Sequence, residues 1–157
     1  MSARSLVGIL LIGLTIVAGA DDHRASINYT LHCQGCHLVG AEGLENEVPR
    51  MRDFVGYYLH SQEGREFLIQ VPGVATSSIG DAELAELMNW LLLEYSPQQL
   101  PASFTPYTTA EVRSLRSSLE RDPTNTRQRI LGDIAKKLPD LAAELTRPAT
   151  GGTDRGK

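Results

Sequence analysis

The chain has 157 residues, 41% of them hydrophobic and 22% charged, with a formal net charge of −4. That balance excludes a disordered chain and leaves room for one compact domain with some material to spare. Residues 21–96 carry four basic and twelve acidic side chains, a net of −8, whereas residues 97–157 carry ten basic and seven acidic ones, a net of +3; an acidic front half excludes nucleic acid, whose phosphates need Lys and Arg, and suits a positively charged partner surface.

The first twenty residues read as an export signal. Arg4 is the only charge before Asp21, Leu6 to Val17 is an apolar run, and Ala18-Gly19-Ala20 supplies a small-x-small cleavage site. The apolar run is shorter than the roughly twenty residues a spanning helix needs. Residues 1–20 are therefore expected to be a signal peptide and the remainder to work in the periplasm; the alternative is a retained N-terminal anchor.

Asp22 to His32 reads as a short helix. Ala25, Tyr29 and Cys33 follow one another at four-residue spacing, so one face carries a small residue, an aromatic and a thiol. That helix runs into Cys33-Gln34-Gly35-Cys36-His37, the C-x-x-C-H pattern of c-type haem attachment. Thiols at this spacing match the two haem vinyl groups, across which they add, and the next residue sets an imidazole under the iron. Cys33 and Cys36 are thus expected to hold one haem c covalently, with His37 as an axial iron ligand. Other chemistries compete less well. A thioredoxin-like redox motif follows a strand in a βαβ pattern, and no strand pattern precedes Cys33. Zinc asks for about four ligands, but only His23, His32 and His60 remain and there is no second paired motif. A disulfide between Cys33 and Cys36 is sterically tight.

Asp53 to His60 reads as a further helix with the histidine at its end. Gly80-Asp81 opens a strongly periodic one, in which Leu84, Leu87, Met88, Leu91, Leu92 and Tyr95 form an apolar stripe that Ser96-Pro97 ends. A loop with Pro97, Pro101 and Pro106 follows. Thr108 and Glu111 read as a capping box, with Val112, Leu115 and Leu119 on one helical face until Asp122-Pro123 breaks it. Thr124 to Leu138 reads as a second helix with Ile130, Leu131, Ile134 and Leu138 apolar. After Pro139, Leu141 to Leu145 adds a turn, and residues 149–157 read as a disordered tail. Helices this short are not stable alone. Residues 97–148 therefore form a helical extension that packs on the core or docks on a partner, and the opposite charge of the two halves favours the core.

With these elements in place, residues 24–95 resemble the small monohaem cytochrome c domain. In that family an N-terminal helix with a small-x-x-x-aromatic face crosses a C-terminal helix with its own aromatic. Ala25 and Tyr29 match the first helix and Trp90 the second; Gly40, Gly43 and Pro49-Arg50-Met51 look like the family's glycine-rich stretch and Pro-x-Leu segment. The resemblance implies an all-α, cytochrome c-like fold around one covalent haem over residues 21–96, followed by the helical extension. It also implies that the Pro49 carbonyl accepts from the ring N–H of His37 and fixes its orientation.

The sequence departs from the family at the sixth iron ligand, a Met supplied by the loop before the last helix. Here that loop, Pro72 to Ile79, contains neither Met nor His. His60 is one candidate sixth ligand, although a histidine at a helix C-terminus is also favoured by the dipole alone. A vacant or water-bound position is another candidate. Met51 and Met88 remain, yet a Met at helical spacing usually belongs to the core. The choice matters because a thioether raises the potential relative to imidazole and an open position permits ligand binding. The expected function is a one-electron carrier, or the cytochrome subunit, for a periplasmic dehydrogenase, with a redox protein as partner and no catalysis of its own. The alternative is a haem ligand-binding or sensor protein with an open sixth position. A peroxidase would need an acid–base group over an open iron, and only His60 is on offer.

Overall fold

The computed structural model describes residues 18–44 and 47–146. All but the last three residues of the expected signal peptide, and the expected tail at 149–157, lie outside the described residues. Every regular element among those described is helical, apart from one isolated bridge between Leu44 and Val48, so the all-α expectation holds. The first part comprises α1 (Ala18–His32), the single turn α2 (Gln34–His37), a 3₁₀ helix (Val55–His60), α3 (Gln62–Gln70), α4 (Pro72–Ala75) and α5 (Asp81–Tyr95). The extension comprises α6 (Thr109–Arg116), α7 (Pro123–Lys137) and α8 (Ala142–Leu145). No described helix is long and apolar enough to cross a membrane.

α1 packs across α5. Ala25 and Tyr29, 1% and 2% exposed, form the inward face of α1. The Tyr29 ring lies 5.8 Å from Trp90 and 5.2 Å from Tyr95, both tilted, within the range in which aromatic pairs add to simple burial. Small Ala25 lets the helices approach. The predicted stripe of α5 is buried throughout, Met88 included, and the Glu83 carboxylate accepts from the Gly80 N–H at 3.3 Å to open the helix.

Between these helices the structure differs from the sequence reading. Asp53 to His60 is not an α-helix but a 3₁₀ helix from Val55. It is drawn tight because Gly56 approaches the end of α5: its N–H donates to Ser96 Oγ at 2.9 Å, and a Cβ there would lie 2.8 Å from the Ser96 carbonyl oxygen. α3 was not anticipated, although Ser61 is a regular N-cap that accepts from the Gly64 N–H at 2.9 Å.

The apolar faces of the extension are buried on the first part. α6 packs on α5 and α3, and α7 packs on the 3₁₀ helix and α3. Val112, Ile130, Ile134 and Leu145 are all buried, each contributing roughly 1.5–3 kcal/mol. Thr108 caps α6 as predicted, accepting from the Glu111 N–H at 3.2 Å. Leu119, expected on the same face, is exposed: α6 ends at Arg116, and the chain leaves to donate from Glu120 N to the Gln70 carbonyl at 2.9 Å. α7 starts at Pro123, with the Asp122 side chain accepting from the Asn125 N–H.

Arg65 of α3 ties the two parts together. Its guanidinium donates to both carboxylate oxygens of Glu111, at 2.6 and 2.8 Å, and to the Thr105 carbonyl at 2.8 Å. It also stacks 4.1 Å from the Tyr107 ring centre, while the Tyr107 hydroxyl donates to the Arg65 carbonyl at 2.7 Å. Hydrogen bonding to Arg65 holds the Glu111 pKa below the usual glutamate value against the opposing effect of burial. A lowered carboxylate pKa contributes stability that is fully present above the unfolded value, about 4.3, and lost as pH falls through the folded value. Glu111→Gln is expected to cost about 1–3 kcal/mol near neutral pH. In urea titrations the gap from the unaltered protein should close below about pH 4.

Candidate haem attachment site

α1 delivers its last turn directly into the C-x-x-C-H motif. The Cys33 carbonyl accepts from the N–H groups of Cys36 and His37 at 3.2 and 2.9 Å, which closes α2 into one turn. Both thiols are free; Cys33 is half-buried against the core and Cys36 is exposed. Burial, helped by the neighbouring Cys36, pushes the Cys33 thiol up to about 11. A thiol–disulfide oxidoreductase needs the opposite, a depressed thiol pKa at its attacking cysteine. A helix, not a strand, leads into the motif. Among the described residues no group of three or more His, Cys, Asp or Glu side chains gathers into a metal site.

His37 is oriented by the loop that returns to it. Its Nδ1 lies 3.2 Å from the Pro49 carbonyl oxygen. A carbonyl can only accept, so Nδ1 carries the proton and the lone pair sits on Nε2, which has no hydrogen-bond partner among the described residues. Burial lowers the His37 pKa and the bond to Pro49 partly opposes it, so the ring is neutral, the form that ligates metals. Pro49 is held by the reciprocal bonds of Leu44 and Val48, each 2.9 Å, and by the Met51 N–H donating to the Ala41 carbonyl at 2.8 Å.

Three consecutive carbonyls after His37 are each held by a distant side chain. The Tyr29 hydroxyl donates to Leu38 at 2.6 Å, the Tyr95 hydroxyl to Val39 at 3.1 Å, and Arg52 Nε to Gly40 at 2.5 Å. Leu38 has φ 64° and ψ 174°, a region almost confined to glycine that costs of order 1–3 kcal/mol and persists only where the surroundings enforce it. Tyr29 supplies that enforcement at the residue next to His37. Burial raises the Tyr29 phenol well above its ordinary pKa, so it remains a donor across the working pH range. The sequence reading assigned Tyr29 and Tyr95 to packing alone and missed Arg52. Nothing local marks these hydroxyl and guanidinium contacts.

The other candidates fall elsewhere. His60 Nε2 lies 3.0 Å from the Gln99 carbonyl oxygen and therefore carries the proton there, so its Nε2 lone pair is not free. Met88 is buried within α5, Met51 packs half-buried against the core, and His23 and His32 are exposed.

These residues fit a covalently held haem. Two free thiols and one unpartnered imidazole nitrogen share a single turn, and the motif is flanked by exposed apolar side chains, Leu31 at 69% and Val39 at 72% among them. The helical fold and this site are similar in kind to those of the c-type cytochromes. No protein-family model matches the chain, and no solved structure matches it. Two curated relatives do, each a cytochrome c-552 of Thermus thermophilus. One is 27% identical over 132 residues, covering 73% of this chain and 86% of the relative. The other is 27% identical over 103 residues, covering 54% of this chain and 79% of the relative. Motif, fold and both relatives support a c-type cytochrome.

Gly43 is the pivot of the returning loop. Its φ is +73°, a Cβ would run into the Val48 carbonyl oxygen, and its N–H donates to the His37 carbonyl at 3.1 Å. Gly43→Ala is expected to destabilise the protein by about 1–3 kcal/mol in chemical denaturation, because L side chains are strained there and the bridge that seats Pro49 must shift.

Proposed function

We propose that the chain carries one haem c on Cys33 and Cys36, with His37 as axial iron ligand, and works in the periplasm as a one-electron carrier. On this reading it serves a dehydrogenase, either as a mobile carrier or as its cytochrome subunit, and catalyses no reaction itself. The observation that carries the proposal is the single turn that presents two free thiols together with a neutral imidazole whose Nδ1 is anchored on Pro49. When bound, haem supplies the one-electron redox chemistry. The chain's own part is to hold and orient. Pro49 fixes the tautomer and plane of His37, and the Tyr29, Tyr95 and Arg52 contacts keep the turn rigid, so little reorganisation accompanies a change of charge.

The surface supports a protein partner. Ile27, Leu31, Gln34, Val39 and Trp90 line a groove of about 320 Å³ beside the motif. Leu93 is exposed on α5 next to the exposed Glu94, in the half of the chain with net charge −8. An apolar patch in acidic surroundings suits a redox protein with a basic docking face. Export rests on the basic-apolar-small layout of residues 1–20.

A second reading, a ligand-binding or sensor haem protein with an open sixth position, is favoured by one observation. The Pro72–Ile79 loop has no Met or His to offer, and the Nε2 of His60 is engaged by the Gln99 carbonyl.

Acid–acetone extraction tests the attachment: haem is expected to stay with the unaltered protein and to be extracted from the Cys33→Ser, Cys36→Ser double variant. Retention by the double variant would refute the assignment. Optical spectra with and without CO then separate the two functions. A low-spin spectrum unmoved by CO is the carrier's result, and a high-spin spectrum that shifts is the ligand binder's.

A further inference from the structure

The peptide unit that anchors His37 is gripped from the far end of the chain. The Pro49 carbonyl oxygen lies 3.2 Å from His37 Nδ1, and the next residue, Arg50, sends its side chain to α8. Arg50 Nη2 donates to Glu144 Oε1 at 2.8 Å, across 94 residues of sequence. The same guanidinium lies 5.3 Å from the centre of the Phe54 ring, which is 3% exposed. Glu144 stands beside Leu145, which is 1% exposed and belongs to the core, so α8 is fixed in place. Among the described residues this is the one hydrogen bond or ion pair that joins the extension to the segment from Leu38 to Asp53.

Backbone bonds secure that segment before and after the anchor. Leu44 and Val48 pair ahead of it, and the N–H groups of Met51 and Arg52 both donate to the Ala41 carbonyl behind it, at 2.8 and 3.0 Å. Pro49 itself has no N–H to give, so the Arg50 side chain is the tether of the Pro49–Arg50 unit. A guanidinium suits the task, because its planar fork stacks on an aromatic ring and donates to a carboxylate at once. The two side chains are 36% and 32% exposed, so the pair adds little to overall stability. What it fixes is where the Pro49 carbonyl sits.

We infer that Glu144 is a positioning residue for the axial imidazole: through Arg50, the C-terminal extension holds the Pro49 carbonyl on His37. A ring N–H bonded to a carbonyl makes imidazole a more basic ligand. A more basic axial ligand favours the oxidised iron and lowers the reduction potential. The extension thereby tunes the potential of the electron carrier. The inference rests on the reading of His37 as axial ligand to a covalent haem.

The test is potentiometry of the holoprotein, with solvent exchange of the His37 Nδ1–H followed by NMR in the reduced state and melting temperatures recorded alongside. Glu144→Gln and Arg50→Gln are each expected to raise the potential and to speed exchange of the ring N–H. The expected shift is about threefold in the equilibrium constant for reduction, which is ~28 mV for one electron. Direction separates positioning from charge. A charge effect alone raises the potential when the carboxylate goes, lowers it when the guanidinium goes and cancels in the double variant. A positioning link raises it in both, and the double variant matches the singles. Glu144→Asp keeps the charge but shortens the reach; it should raise the potential too, and it covers the case in which the glutamine variants do not fold. Glu63→Gln removes a carboxylate from another pair between the two parts, with Arg129, and should leave potential and exchange unaltered. Opposite shifts in the two single variants overturn the inference, as do unchanged potentials in both or an equal shift by Glu63→Gln. Haem lost from the unaltered protein on acid–acetone extraction is a different result, the failure of the attachment reading on which the inference stands.

Discussion

Tyr29 is the contact on which the arrangement turns. Its ring lies between Trp90 and Tyr95 where α1 crosses α5, and its hydroxyl reaches past the crossing to the Leu38 carbonyl. One side chain thus joins the main helix pair to the turn that carries Cys33, Cys36 and His37. The strained backbone at Leu38 is sustained there by the buried phenol: leaving its O–H unpaired in an apolar crossing would cost about as much as the strain, on the order of 1–3 kcal/mol.

The site is built in two tiers from this contact. α1 positions the thiols simply by continuing into them. The imidazole is positioned by a longer route, in which Gly43 turns the chain, Leu44 and Val48 pair, and Pro49 arrives with its carbonyl on Nδ1. The second tier decides the chemistry on offer, because the tautomer chosen by Pro49 leaves the Nε2 lone pair free to ligate. Tyr95 and Arg52 fasten the intervening carbonyls of this short irregular segment.

The extension braces this core on several sides through arginines. Arg65 grips Glu111 and Tyr107, Arg116 holds the Pro72–Ile79 loop, and Arg50, next to Pro49, pairs with Glu144 of α8 at 2.8 Å. Arg50 and Arg127 also lie over the Phe54 ring, at 5.3 and 5.5 Å. The ion pairs between the two parts run both ways: Arg50–Glu144 and Arg65–Glu111 place the cation in the first part, Arg116–Asp81 and Arg129–Glu63 in the extension, with Arg65 and Arg116 largely shielded from solvent and so less screened than a surface pair.

What the sequence by itself determined is whatever depends on near neighbours along the chain. The C-x-x-C-H spacing, the Ala25–Tyr29–Cys33 face, the apolar stripe of α5 and the break at Asp122-Pro123 before α7 all follow from helical periodicity, turn chemistry and covalent reach. The tertiary structure alone decided the contacts between distant residues. Val55–His60 is a 3₁₀ helix because Gly56 meets Ser96; His60 is tied to Gln99; Leu119 leaves its predicted face because Glu120 meets Gln70; and Arg116 reads the carbonyls of a loop some forty residues earlier. The reason is physical: a hydrogen bond between groups far apart in the chain leaves no periodic trace in the sequence, and its partner exists only once the helices have packed.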